Sequence, residues 1–185
     1  MAKRILIVVS AILVLGILLR GFLFRQMVSY ETVGARVNYS VVNKDLSDFI
    51  ESNLENQKSE SIDEIIEISL EITTNKLRFT SDKNDVDPNK LVHSETAHCV
   101  GYAAFFATTC NYVLKKNSLN NIWVAVPQIG KLYFLGFNIH NWFDSSFLKD
   151  HDFVVIRNNQ TGETKAVDPT LYDYFYIESV STREQ

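Results

Sequence analysis

Cys99 and Cys110 are the only two cysteines of the 185-residue chain. Both fall in a stretch, Ser94 to Lys116, that reads as one helix. Cys99, Tyr102, Ala103, Phe106, Cys110 and Val113 form an apolar stripe at helical spacing, and Lys115 and Lys116 suit its carboxyl end. On such a helix the two cysteine Cα atoms lie about 16 Å apart, whereas a disulfide needs less than about 7 Å, so both are expected as free thiols. Cys110, mid-helix among aromatics, reads as a small buried hydrophobe. Cys99 lies in the first turn, where unpaired backbone N–H groups and the macrodipole favour an anion. That is a position for a nucleophile. Alone, it would equally describe one more buried residue.

Two further residues change that reading. His151 opens a β-rich segment, a turn cluster follows around Gln160 and Thr161, and Asp168 closes the next extended segment. Folded as a hairpin about that turn, Asp168 falls opposite residues 151–153 and on the same face as His151, because side chains alternate with period two. Asp150 and Asp152 point to the other face. A carboxylate beside the imidazole would orient the ring and stabilise its protonated form. With the Cys99 helix start packed against this sheet, Cys, His and Asp would form a unit in which the His takes the thiol proton and the thiolate attacks a carbonyl. His140, with Trp142 two residues on, is the rival base, but no hairpin joins it to Asp168. His98 would point about 100° away from Cys99 on a helix. Glu95, one turn before Cys99, would oppose a thiolate unless solvated or bound to a cationic substrate group. His93, His98, His140 and His151 lack the spacing of a helical zinc pair, so neither a metal nor another cofactor is expected.

The elements that must position these residues form an α+β pattern, helices first and an antiparallel sheet after. Residues 26–43, β-leaning through Val33, Val37, Tyr39, Val41 and Val42, read as a stalk leading into a domain at 44–185. Asp45 to Glu71 holds nine acids and one base, Lys58. Leu46, Phe49, Ile50 and Leu54 follow helical spacing there. Ser61-Ile62-Asp63-Glu64 has the form of a capping box that starts a second helix. The acids read as solvated faces of these helices rather than as a binding patch. Thr80 to His93 is a polar loop whose Asp82, Asp85 and Asp87 do not follow the EF-hand spacing. Ile122–Val126, Leu132–Ile139, Phe153–Arg157 and Thr164–Val167 are the strand candidates. Asn38-Tyr39-Ser40 and Asn159-Gln160-Thr161 match glycosylation sequons.

Charge divides the chain. Residues 1–25 carry four bases and no acid, while the remainder carries 14 bases and 22 acids. The overall charge of −4 argues against a nucleic-acid partner. Ile5 to Leu19 is an unbroken apolar or small run, and Ile5 to Phe24 would span about 30 Å as a helix, enough to cross a bilayer. No small-x-small site follows it, which favours a retained signal anchor over a cleaved signal. Lys3 and Arg4 nearly balance Arg20 and Arg25 in the positive-inside comparison. The reading adopted is a single-pass membrane protein with residues 5–24 in the membrane and the domain extracytoplasmic.

Cys99-Val100-Gly101-Tyr102-Ala103, His151-Asp152-Phe153-Val154 and Val167-Asp168-Pro169-Thr170 together resemble the motifs of the transglutaminase-like superfamily, part of the wider papain-like fold. The resemblance covers roughly residues 62–175. It implies Cys99 as nucleophile, His151 as general base and acid, and Asp168 as the orienting acid, with Tyr102, Trp142 and Phe153 toward the substrate. Ala97 and Phe153 depart from the family pattern, which often has Gly and Trp there, and no second oxyanion donor is evident beside the Cys99 N–H. The implied activity is acyl transfer on a protein or peptide amide through a thioester, ending in hydrolysis or in cross-linking, hydrolysis being slightly favoured. The alternatives are a catalytically inactive binding or scaffold domain of the same fold, and a tethered structural protein in which the three residues coincide.

Overall fold

The computed structural model describes residues 2–54, 59 and 61–183; Glu55, Lys58 and Glu60 of the acidic stretch lie outside them. An apolar helix α1 (Ala2–Leu18) bends by 71° into α2 (Arg20–Met27). The continuous span expected over Ile5–Phe24 is thus broken at Leu19. No single helix is long and apolar enough to cross a membrane; the bent pair together meets that test by length and composition. Arg20 sits at the bend. Its guanidinium donates to the Ile17 carbonyl of α1 and to the Phe175 and Tyr176 carbonyls near the other end of the chain.

The chain passes directly from α2 into β1 (Val28–Ala35). The region read as a stalk is therefore part of the domain. Its Val28, Tyr30 and Thr32 alternation belongs to a strand paired antiparallel along nearly its whole length. Two helices follow, α3 (Lys44–Asn53) and α4 (Ile62–Lys76). Asn43 caps the first through Leu46 N–H, and Ser61 with Glu64 forms the expected capping box on the second. A two-residue strand β2 (Arg78–Phe79) and β3 (Thr96–Ala97), parallel to it, flank the expected loop, which contains a short helix α5 (Pro88–Leu91) capped by Asp87. Next comes α6 (Cys99–Lys116). It starts at Cys99 rather than at Ser94, because β3 takes up the preceding backbone. Glu95 is exposed ahead of β3 and never shares a helical face with Cys99.

The sheet completes the fold. Its strands β4 (Trp123–Phe134), β5 (Phe137–Asn138), β6 (His151–Asn158), β7 (Thr164–Val167) and β8 (Ser181–Thr182) combine with β1 in the order β7-β6-β4-β1-β8, with β5 beside β4. β4 is one long strand across the gap between two expected ones. A final helix α7 (Pro169–Phe175) joins β7 toward β8. All main pairings are antiparallel except β1 with β8. The two sheet edges approach each other: Val180 N–H donates to the Ala166 carbonyl just before β8 pairs with β1.

This curl gives the sheet two different faces. One carries Ala125, Val154 and Ile156 and packs against Phe105, Phe106 and Cys110 of α6 and Ile65 and Leu70 of α4. The other encloses Tyr30, Phe153, Ala166 and Val180. Gly130, paired with His151, makes the inner face possible. A Cβ there would lie 2.7 Å from the Phe153 ring and 2.8 Å from the His151 carbonyl oxygen. Gly130→Ala is expected to destabilise the domain by about 2 kcal/mol through overpacking, read by urea denaturation, and to disturb the backbone that carries His151.

Candidate active site

Among the described residues, the helices from α3 to α7 have a side-chain cap at the amino terminus except α6. Asn43, Ser61, Asp87 and Asp168 cap α3, α4, α5 and α7, whereas His98 at the N-cap of α6 makes no such bond. The first α6 N–H bonded back to the helix start is that of Tyr102, to His98 O. The N–H groups of the first turn are those a helix leaves without intrahelical partners, and Cys99 begins that turn. Its side chain is a free thiol, 7% exposed. Gly101 lets this turn sit close to β3, since a Cβ there would come within 2.9 Å of the Ala97 Cβ.

The hairpin β6–β7 pairs Val154 with Val167, which sets residue 168 beside 153 and on the face of 151. His151 Nε2 and Asp168 Oδ2 are 2.7 Å apart. Cys99 lines the same cavity as His151 and adds to the electrostatic pull that favours the protonated ring. The imidazole thus bonds the carboxylate and shares a cavity wall with the thiol. Burial alone would favour a neutral ring, but the charge and hydrogen bond of Asp168, with the Cys99 contact, more than offset it. The His151 pKa stands well above the ordinary histidine value. Burial likewise pushes the Asp168 carboxyl up, and the His151 charge, with hydrogen bonds from His151, Tyr30 and the Leu171 N–H, brings it below the usual carboxylate range. The resulting pair is an imidazolium and a carboxylate.

Asp168 is almost fully buried and fully engaged. Oδ2 also accepts from the Tyr30 hydroxyl at 2.8 Å, and Oδ1 accepts from the Thr170 and Leu171 N–H groups at 3.0 and 3.1 Å. Tyr30 was not visible as a site residue in the sequence; alternation along 28–32 was the available signal. Burial and the Asp168 charge hold its phenol protonated, so it donates. The Tyr30 ring also lies against His151, centroids 6.3 Å apart. Tyr30→Phe is expected to cost about 1–2 kcal/mol by removing a hydrogen bond to a charged acceptor. Tyr30 is a positioning residue, so the same variant should also narrow the pH range over which Cys99 reacts. Urea denaturation and alkylation rates check the two effects separately.

Of the two acids flanking His151, Asp150 lines the cavity in front of it, against the expectation that it points away, and Asp152 is held elsewhere. Asp152 faces away, as alternation requires, and receives both Arg36 Nε (2.8 Å) and Nη2 (3.0 Å). This bidentate pair ties the end of β1 to the start of β6. The rival His140 is not free to act as a base. Its Nε2 accepts from the Leu132 N–H at 3.0 Å and its Nδ1 donates to the Leu148 carbonyl at 2.7 Å. Burial lowers its pKa, consistent with a neutral ring fixing the 139–148 segment. His98, lowered in pKa by burial, is half-buried before α6. Cys110 is fully buried, its thiol pushed up by burial to about 12.

In front of Cys99 and His151 lies a cavity of about 170 Å³. Phe79, Leu132, Ile139, Phe143 and Leu148 line it, with His140 and Asp150 at its polar points. None of the three expected substrate residues, Tyr102, Trp142 and Phe153, lines it. Tyr102 is buried under α7, donating to the Leu77 carbonyl and Asp173. Phe153 is fully enclosed between the curled strands. For Tyr102 and Phe153 the reason is that neighbours of a reactive residue in sequence are not its neighbours in space. Trp142 is exposed on a single 3-10 turn, Ile139–Trp142, and its neighbour Phe143 reaches the cavity instead. Comparison of the chain with known protein families, with curated proteins and with solved structures finds no match.

Proposed function

We propose that this chain is a cysteine-dependent acyl-transfer enzyme acting on amides, with a papain-like, transglutaminase-like arrangement of Cys99, His151 and Asp168. The observation that carries this reading is a single imidazole bonded to a buried carboxylate and set in one cavity wall with a thiol whose helix start has no side-chain cap. The proton on the His151 imidazolium is the one given up by Cys99, and the thiolate so formed makes a bond to the amide carbonyl carbon. The carbonyl oxygen becomes an oxyanion, which the unpaired N–H groups of the first α6 turn stabilise. The C–N bond then breaks. The amine leaves with the proton from His151, and a thioester remains on Cys99. His151 next deprotonates water, which attacks the thioester and releases the carboxylic acid and the thiol. The curled sheet with the nucleophile helix packed beside it supports the same reading.

The apolar lining of the cavity favours an amide carried by an apolar group. A membrane anchor through α1, with the domain outside the cytoplasm, is part of the proposal. It rests on the apolar run Ile5–Leu19, whose large side chains are exposed throughout.

The experiment is intact-mass detection of an acyl adduct on the full chain incubated with a peptide amide library. An adduct mapped to Cys99, absent in Cys99→Ala and discharged by water, is the expected result. Product masses showing capture by an added primary amine in preference to water would replace hydrolysis with cross-linking. No adduct on Cys99 would leave the fold as a binding module.

A further inference from the structure

Two bulky residues occupy backbone conformations that water-facing turns give to Gly or Asn. Leu135 has φ +48° and Tyr176 φ +51°, the left-handed region that L side chains rarely adopt. Leu135 and Gly136 (φ +88°) form the two-residue turn between β4 and β5. Positive φ at both positions usually selects Asn-Gly there. Tyr176 ends α7 at the left-handed position that Gly usually fills. Both side chains project into open space, 61% and 66% exposed.

Both are also fastened to α2. The Leu135 N–H donates to the Met27 carbonyl at the end of α2, at 2.7 Å. The Tyr176 carbonyl accepts from Arg20 at its start. Between these ends α2 itself exposes Phe22 and Leu23, and next to the two turns Phe137 and Phe175 are exposed as well. The result is a band of large apolar side chains along a helix of about 12 Å, placed where the apolar α1 meets the domain. Arg20 and Arg25 lie in the same band and have no acidic partner among the described residues.

We infer that this band is a second membrane contact: α2, the 134–137 turn and the 174–176 segment rest in the headgroup region of the bilayer that holds α1. Three observations select lipid over other occupants. The apolar part of α1, Ile5–Leu18, extends about 21 Å, short of a hydrocarbon core of about 30 Å, which draws the following residues down to the interface. The 71° bend lays α2 close to the membrane plane when α1 crosses it. Aromatic residues with arginines are the composition of a membrane–water interface. The domain is therefore held flat against the bilayer rather than swinging on a tether. This inference depends on the membrane anchor but not on the acyl-transfer chemistry, so either can fail alone.

The test uses the full chain in phosphatidylcholine vesicles, with Phe137→Trp or Phe175→Trp introduced in a Trp142→Phe background. Trp123, buried in the core, gives a constant signal. The lipids carry a doxyl quencher either near the headgroup or deep in the acyl chain. The expected result is several-fold stronger quenching at both positions by the shallow label than by the deep one, with little quenching by aqueous iodide. Strong iodide quenching and no lipid quenching would overturn the inference, leaving the domain clear of the membrane. Protection from both quenchers that grows with protein density would overturn it too, making a second copy the occupant.

Discussion

His151→Ala is expected to lower the rate of Cys99 acylation by about 10³-fold, within the range of a lost general base, while leaving the domain folded. The fold should survive because Asp168 keeps three donors, Tyr30 and the Thr170 and Leu171 N–H groups, and His151 is only partly buried, its side chain 23% exposed. The vacated space adjoins the cavity that His151 lines. Added imidazole can occupy it and is expected to restore part of the rate in proportion to its concentration. Rescue separates a lost proton acceptor from a distorted nucleophile. Stopped-flow acylation with and without imidazole makes the comparison. A His140→Gln variant is the control. His140 holds the segment over the cavity through two backbone bonds, so its loss should weaken substrate retention and not produce an imidazole-dependent rate.

Asp168→Ala carries the largest expected effect on stability. It strands the Tyr30 hydroxyl and the His151 imidazolium, at a cost of about 3–5 kcal/mol for a broken buried pair. It also uncaps α7, for about 1 kcal/mol more. Against a typical total of about 5–15 kcal/mol, that brings the domain close to unfolding. Asp168→Asn separates stability from chemistry. The amide oxygen can still cap α7, but its NH2 cannot accept from Tyr30 and His151. The ring then loses the charge that keeps it protonated, and the acylation rate should fall by about 10³- to 10⁴-fold.

The pH dependence follows from the directions of the two shifts. Asp168 is lower in the folded state than in the unfolded chain. Its contribution is present above the unfolded carboxyl value of about 4 and is lost as the pH falls through the lower, folded one. His151 is higher in the folded state. Its contribution is complete below about 6.5 and is lost as the pH rises through the raised, folded value. The wild-type domain should therefore gain most over Asp168→Asn between these limits, in mildly acidic solution. Urea denaturation of both proteins from pH 4 to 9 checks the sign.

The hairpin that joins His151 to Asp168 was legible because two physical rules act over a short distance. A turn cluster fixed the centre of the pairing, and alternation fixed the face, so the 2.7 Å contact is what the spacing requires. Helix α4 and its capping box were legible for the same local reason. Long-range pairing was not. β1 looked like a stalk because nothing near it in sequence pairs with it; its partner β4 lies about 100 residues on. Tyr30 was lost with it, and so was the third donor to Asp168. The start of α6 was misplaced by five residues because β3, which stops it, exists only through its pairing with β2. Tyr102 and Phe153 show the limit of motif reading. Each lies close in sequence to a reactive residue, and each faces a core that only the closed fold creates.

Alkylation of Cys99 by iodoacetamide, followed against pH in the wild-type chain and in His151→Ala, decides between a working thiol–imidazole pair and an accidental one. Cys110 is buried with its thiol pushed up to about 12 and does not compete. A rate that stays high well below pH 8.5, the value for a free thiol of about that pKa, and collapses without His151, is the predicted result. A rate that climbs only as the solution approaches that pH, and is the same in both proteins, would contradict it: His151 and Asp168 would then be a structural ion pair beside an ordinary buried cysteine.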